Sequence, residues 1–592
     1  MKLLKKSLLP TILAFVLIFI ISLLAFRPSF GLALFGDDWL AFYRYRYHLG
    51  EWSNGEYSLI SYLFTVYGAQ DVAMGFLQKI FNYESLPYYL VSFILRLAAS
   101  FSIFFLIYKV TKKRLPGIFA ALFFATSSIG LDATNWVFNM PSFIAIFFMS
   151  FFLYFFLESR KKNEGSKLLL SGVFYYLAFV AATIRMHLLP LVVFVLDMIW
   201  LASERSKKIL KKVLVRQAFM AFVFLLLRNS GYLLGSSTEI VGRGLGGFKI
   251  IQTSIETGDP SILLNPVVIV GRLFIPENIW PLVLNYFSKP NLRHIVPFSL
   301  AITLPFAIYY LYLKKGNVKR KAIILLSGLV LWTVIVKLLL PVSYVPRDPA
   351  FVGPALLGGY ITITGILIAL NTKRKTSKLF LLGSIAITYL SFALPWIWAP
   401  NGLSATTHRY MVVAGAGVAL FFGSLISISS RKATTAYITL VSLVFVFIHA
   451  NITNSYFSKL VSERGAEVSK KVWSSMPVIQ DVKKDEEQPL IFYFEGNSAI
   501  VYSVLTFGFP PRMSLIYNIR DGGKLPVPMS VWEDVVTVVT TGENLPAYGY
   551  KPNPLAIENV YAFELTKEGT MDDITPQTRL KLNSLINNEK AN

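Results

Sequence analysis

Long apolar runs separated by short polar connections dominate the first three quarters of the chain. Runs at roughly 8–26, 86–108, 116–131, 138–157, 168–184, 187–202, 214–234, 295–313, 322–340, 352–370, 379–398, 411–429 and 434–452 predict about thirteen helices, because about 20 apolar residues span a bilayer core as a helix. After Asn451 the pattern changes to a polar mixture. An amphipathic helix is predicted over Tyr456 to Trp473, strands at PLIFYFE, SLIYNI, VVTVVTT and VYAFEL, and a last helix over about 576–587. The predicted fold class is therefore mainly α. A polytopic transmembrane bundle occupies residues 1–452, and a small extracytoplasmic α/β domain occupies 453–592.

Two connections are long. Residues 27–85 are rich in Tyr and Trp and hold an amphipathic stretch, Tyr57 to Tyr67, suited to the membrane interface. Residues 235–294 hold GRGLGG and the run RLFIPENIWPLVLNYF, which reads as an interfacial or re-entrant helix. Loops of this length usually serve a function. No P-loop or dinucleotide-binding glycine motif is present, nor a repeat of 20–50 residues.

Composition sharpens this reading. Of 592 residues, 54% are hydrophobic and only 15% charged, a balance that soluble globular proteins rarely show. The formal net charge of +24 raises nucleic-acid binding, which the charge distribution excludes. The basic residues cluster at Lys2/Lys5/Lys6, Lys109 to Arg114, Arg160 to Lys167, Arg205 to Arg216, Lys314 to Lys321, Lys373 to Lys378 and Arg431/Lys432. Each cluster lies at the N-terminus or between two apolar runs, and every second connection lacks one, which is the positive-inside pattern. It predicts a multi-pass cell-membrane protein with a cytoplasmic N-terminus. An odd helix count then puts the C-terminal domain on the other side. The first run is read as a retained helix, since no A-x-A cleavage site follows it. With no cysteine, disulfides and thiolate metal sites are excluded.

The residues suited to chemistry fall in the non-cytoplasmic connections. Asp37 and Asp38, in GDDW, follow the first helix by about ten residues. Adjacent carboxylates offer a general base, a metal ligand or both; a helix cap is the alternative role. GLDATNWVFNMP places Asp132, Asn135 and Trp136 at the same membrane surface, Asp132 being either a third acid or a cap. In TIRMHLLPL, Arg185 and His187 interrupt an apolar stretch, where charge is expensive and commonly functional. Arg185 suits a lipid phosphate, which guanidinium binds bidentately, or snorkels at a helix end. His408 and Arg409 precede a helix of small residues in SATTHRYMVVAGAGVAL and fit a phosphate anchor, and Arg347 and Asp348 loosely repeat that arrangement. Trp39, Trp52 and Trp136 suit either sugar stacking or an interfacial aromatic belt. Asp197, within a helix, reads as structurally paired.

The order of these stretches resembles the GT-C superfamily of membrane glycosyltransferases. It combines a carboxylate pair after helix one, DATNW after helix three, a charged break before LPLVVFVLD, and a late HRYM. Within that superfamily it is similar to the protein O-mannosyltransferases and their relatives with a tetratricopeptide-repeat tail, although this tail lacks the 34-residue helical period. The resemblance implies an inverting transferase that moves a sugar from a polyprenyl-phosphate donor to a protein, lipid or glycan acceptor on the non-cytoplasmic face. Asp37 or Asp38 would then activate the acceptor or bind a divalent metal ion, with Arg409 near the donor phosphate. Asp132, Asn135, Trp136, Arg185, His187 and His408 complete the expected substrate-binding set. A lipid-linked glycan flippase, a glycan polymerase or ligase, and a non-catalytic assembly protein are the rival readings.

Overall fold

The computed structural model describes residues 2–591 except 161–164, 205, 228–232, 285–291, 314–316, 341–348, 401, 403–404, 430, 477–487, 497–500, 507, 521–525, 546–552 and 567–569. Among the described residues, ten helices are long and apolar enough to cross a membrane, and three shorter apolar ones accompany them. Every one of the thirteen predicted runs falls on a helix. The runs at 116–131 and 168–184 become the short helices Arg114–Thr126 and Gly165–Ala181. The run at 214–234 falls on Lys207–Leu227, which starts KKILKK and is too charged to be counted with the ten.

The bundle is organised around helix Val412–Ile428, whose residues 412–427 are all buried. Its glycines permit this by close approach to neighbours. A Cβ on Gly417 would lie 2.5 Å from Thr388 Oγ1, and one on Gly423 would lie 3.0 Å from the Pro116 carbonyl. The buried carboxylate of Asp197 is paired. Asp197 accepts from Arg216 at 3.1 Å and from Arg160 at 3.3 Å, as its place within a helix suggested.

Helix Lys432–Arg464 runs without interruption past residue 452, where the composition changes. Its 33 residues are about 50 Å long, well beyond a ~30 Å hydrocarbon core. The excess carries the chain to the first long connection, where Leu32 and Gly465 form an isolated antiparallel bridge.

The C-terminal residues build a four-stranded sheet: β1 (Ile491–Gly496), β2 (Val527–Met529), β3 (Val560–Leu565) and β4 (Met571–Asp573). The order is β2-β1-β3-β4, with β1 parallel to both neighbours and β4 antiparallel to β3. Alternation along β1 sends Phe492 and Phe494 to one core and Ile491 and Tyr493 to the other.

Two predicted strands are helices instead. SLIYNI lies largely in Phe509–Tyr517, which two prolines initiate and Asn518 ends in the left-handed region. VVTVVTT lies in Trp532–Thr540, where Glu533 and Asp534 favour a helix N-terminus and Val535, Val538 and Val539 share one buried face. The stretch Tyr57 to Tyr67 holds only the short helix Leu59–Leu63, and GRGLGG lies inside helix Leu233–Glu256. RLFIPENIWPLVLNYF ends one helix at Phe274 and starts a second, Ile279–Leu284, so it is broken rather than one interfacial helix.

Candidate active site

Gly36 precedes helix Asp37–His48 with φ 58° and ψ −121°, a conformation suited to glycine. The turn puts the two acids in different surroundings. Asp38 is fully buried; its Oδ2 accepts the Phe35 N–H at 2.9 Å and its Oδ1 accepts the Phe138 N–H at 2.8 Å. Asp38 thus clamps the turn ahead of its own helix and ties the first connection to the second. Burial pushes its carboxyl up to about 7, against the two amide bonds, which lower it. Asp37 faces the opposite way, into a cavity of about 130 Å³. Among the described residues no hydrogen bond holds its carboxylate. Burial raises its pKa, while the charges of Arg409 and Arg44 pull it back down.

Three guanidiniums line the same cavity. Arg185 donates through Nη2 to Asn139 Oδ1 at 2.7 Å and through Nε to the Arg409 carbonyl at 3.2 Å. Arg409 lies 4.4 Å from the centre of the Trp136 ring, which supports it from below. Arg44 is fixed by a bidentate pair with the buried Asp71, at 2.8 and 2.7 Å, and Tyr62 donates to the same carboxylate at 2.7 Å. Tyr67, Gln70 and Tyr410 complete the wall.

The remaining expected residues stand around this centre. Asp132 and Asn135 do not line the cavity. Tyr456 donates to Asp132 Oδ1 at 2.6 Å, Asn135 Nδ2 donates to the Tyr456 hydroxyl at 3.1 Å, and Arg464 donates to Asn135 Oδ1. This network joins the second connection to the long helix Lys432–Arg464. His408 caps the turn Arg409–Met411 by accepting the Tyr410 N–H at 3.2 Å. Burial, with Arg409 and Arg185 nearby, lowers its pKa to about 4, so it is a neutral acceptor at ordinary pH. His187 is outside the site, packed between Phe179 and Phe224. Arg347 and Asp348 lie outside the described residues. The three tryptophans considered for sugar stacking each lie beneath a guanidinium instead: Trp39 under Arg512, Trp52 under Arg46 and Trp136 under Arg409.

Sequence reasoning missed Asp71, Asn139, Tyr410, Glu277 and Arg464. Glu277 fixes the Arg409 turn, since its carboxylate accepts the Thr406 N–H at 3.2 Å and the Thr406 hydroxyl. Backbone bonds from Gly130 to Thr406 and from Asp132 to Thr407, at 2.9 and 2.8 Å, hold the other side. Arg44 could have been found, because Asp37, Leu40 and Arg44 recur at i, i+3 and i+7 on one helix face.

The C-terminal domain seats directly on the acid turn. Gly508, at φ 96°, packs so closely that a Cβ would lie 2.7 Å from the Gly36 carbonyl oxygen. Arg512 is sandwiched 4.2 Å from Trp39 and 3.7 Å from Trp473, and Tyr43 donates to the Arg520 carbonyl at 3.3 Å.

Among the described residues the cavity offers too few donors for the divalent metal considered from sequence. Asp37 is the one carboxylate among its described lining residues, and it faces three guanidiniums. Asp38 and Asp71 already spend their oxygens on two amides and on Arg44 and Tyr62. Hard divalent cations need several converging oxygens, whereas this arrangement suits an anion next to a base.

No protein-family model and no curated protein matches the sequence. Among solved structures, the chain is similar to the Archaeoglobus fulgidus oligosaccharyltransferase in complex with Zn and sulfate, at 12% identity and a TM-score of 0.43, over 92% of this chain and 67% of that one. It is similar to the archaeal oligosaccharyltransferase AglB from the same organism, in complex with an inhibitory peptide and a dolichol-phosphate, at 10% identity and a TM-score of 0.39, over 95% and 74% of the two chains. ArnT from Cupriavidus metallidurans, bound to undecaprenyl phosphate, matches at 12% identity and a TM-score of 0.29, over 96% and 94%.

Proposed function

We propose that the protein is a membrane glycosyltransferase of GT-C type, which moves a sugar from a polyprenyl-phosphate donor to an acceptor at the non-cytoplasmic face. The observation that carries this reading is a carboxylate, Asp37, with no hydrogen bond among the described residues, sharing a cavity with Arg44, Arg185 and Arg409. Asp37 takes the proton from the acceptor hydroxyl or amine as that atom attacks the anomeric carbon. The bond from that carbon to the phosphate oxygen breaks, its electron pair stays with the phosphate, and polyprenyl phosphate departs. Single displacement inverts the anomeric centre.

Arg185 and Arg409 neutralise the charge that grows on the departing phosphate. Their placement by Asn139, Trp136 and the Arg409 carbonyl means that little reorganisation is needed as it develops. Asp38 is a positioning residue that presents Asp37 by clamping the turn. A flippase has no use for a general base beside the phosphate site, and a polymerase or ligase working through arginines alone would tolerate loss of Asp37. The test is release of polyprenyl phosphate from a panel of radiolabelled polyprenyl-phosphate sugars by the purified protein, with a membrane extract supplying acceptors. Release by wild type that is lost on Arg409→Gln supports the proposal; no release from any donor overturns it.

A further inference from the structure

At the end of the bundle remote from Asp37, a second cavity of about 390 Å³ opens among the helices that carry the basic connections. Its size falls within the ~300–1,000 Å³ of ligand pockets. Lys109, Lys112, Arg160 and Lys375 surround its mouth, and Ile387 and Leu420 lie at its apolar depth. Lys375 and Ile387 are on one helix, Lys375–Trp398, and the twelve helical steps from one to the other correspond to roughly 18 Å at 1.5 Å each. That is more than half of a ~30 Å hydrocarbon core. The cavity is therefore polar at headgroup level and apolar down to mid-membrane.

Its charge is unbalanced. The four cations meet two lining carboxylates, Glu158 and Glu204, and Glu204 pairs with Lys375 at 3.3 Å. Arg160 shares the single carboxylate of Asp197 with Arg216, and its buried Nε has no hydrogen-bond partner among the described residues. The described lining therefore carries a net positive charge at the cavity mouth, which an anionic headgroup would balance.

We propose that this cavity binds one anionic glycerophospholipid, its phosphate against Arg160, Lys109 and Lys375 and one acyl chain running toward Leu420. Basic pockets between helices at a membrane surface suit such headgroups. Its distance from Asp37 makes the lipid a resident of the bundle rather than a substrate, so the proposal is independent of the transferase reading.

The test uses the full chain purified in mild detergent, with wild type compared to Lys109→Gln/Lys375→Gln. Lys375 is exposed and Lys109 half-buried, and neither belongs to the buried core. Lipid extraction and mass spectrometry should find about one anionic phospholipid per wild-type chain and at least a five-fold loss in the double variant. Added phosphatidylglycerol should raise the Tm of the delipidated wild type and not of the variant, while phosphatidylcholine and inorganic phosphate leave both unchanged. Equal effects of the neutral and anionic lipids, a shift with inorganic phosphate alone, retention undiminished in the double variant, or polyprenyl phosphate as the retained species would each overturn it.

Discussion

Replacing Asp37 and Asp38 separately by asparagine should produce two opposite phenotypes. Asp37 lines the cavity and accepts no hydrogen bond from a described residue, so Asp37→Asn removes the proposed base without breaking a described hydrogen bond. General-base catalysis contributes about 10²–10⁴-fold, and turnover should fall by that amount while the Tm holds or rises slightly. Asp38 spends both oxygens on buried amides, and an asparagine has one acceptor oxygen for the two. One N–H, of Phe35 or Phe138, is then left unpaired at a cost of about 1–3 kcal/mol. Asp38→Asn should lower the Tm, while the folded fraction, whose turn keeps one of its two clamping bonds, loses less activity than Asp37→Asn. The assay pairs polyprenyl-phosphate release with thermal unfolding in the same detergent. An Asp38→Asn protein that is fully stable but inactive, or an Asp37→Asn protein that is fully active, would refute the assignment.

Further expectations follow from the same geometry. Because burial raises the Asp37 pKa and the ionised form is the base, kcat/KM should climb with pH along a limb centred above 3.8; a pH–rate profile without that limb contradicts the role. Asp71→Asn leaves Arg44 without its bidentate partner in a buried setting, and breaking such a pair costs about 3 kcal/mol, which should appear as a lower Tm together with a weaker donor KM. Gly508→Ala forces a Cβ against the Gly36 backbone at a left-handed position, so it should lower kcat by disturbing the acid turn while the membrane helices, followed by circular dichroism, stay intact.

The membrane architecture was legible because apolar runs long enough to span a bilayer have few alternatives, and all thirteen appear as helices. The two lost strands show where local preference is weak. Valine-rich VVTVVTT has strand propensity, but its valines also fit one buried helical face once Glu533 and Asp534 start a helix. At the site, adjacency misled. Neighbours on a helix point about 100° apart, so Asp37 and Asp38 separate into cavity and clamp, and Arg185 and His187 part in the same way. Asp71 and Glu277 were unreadable because their meaning depends on partners remote in the chain, Arg44 and Thr406.

The proposed transfer requires a lipid-linked phosphate beside Asp37. Determining the structure of the protein in lipid nanodiscs with added polyprenyl phosphate tests it most directly. Phosphate density is expected within hydrogen-bond reach of Arg185 and Arg409, in the cavity that Asp37 lines. Phosphate found only at the far end of the bundle, against Arg160 and Lys375, with the Asp37 cavity excluding it at saturating ligand, would contradict it.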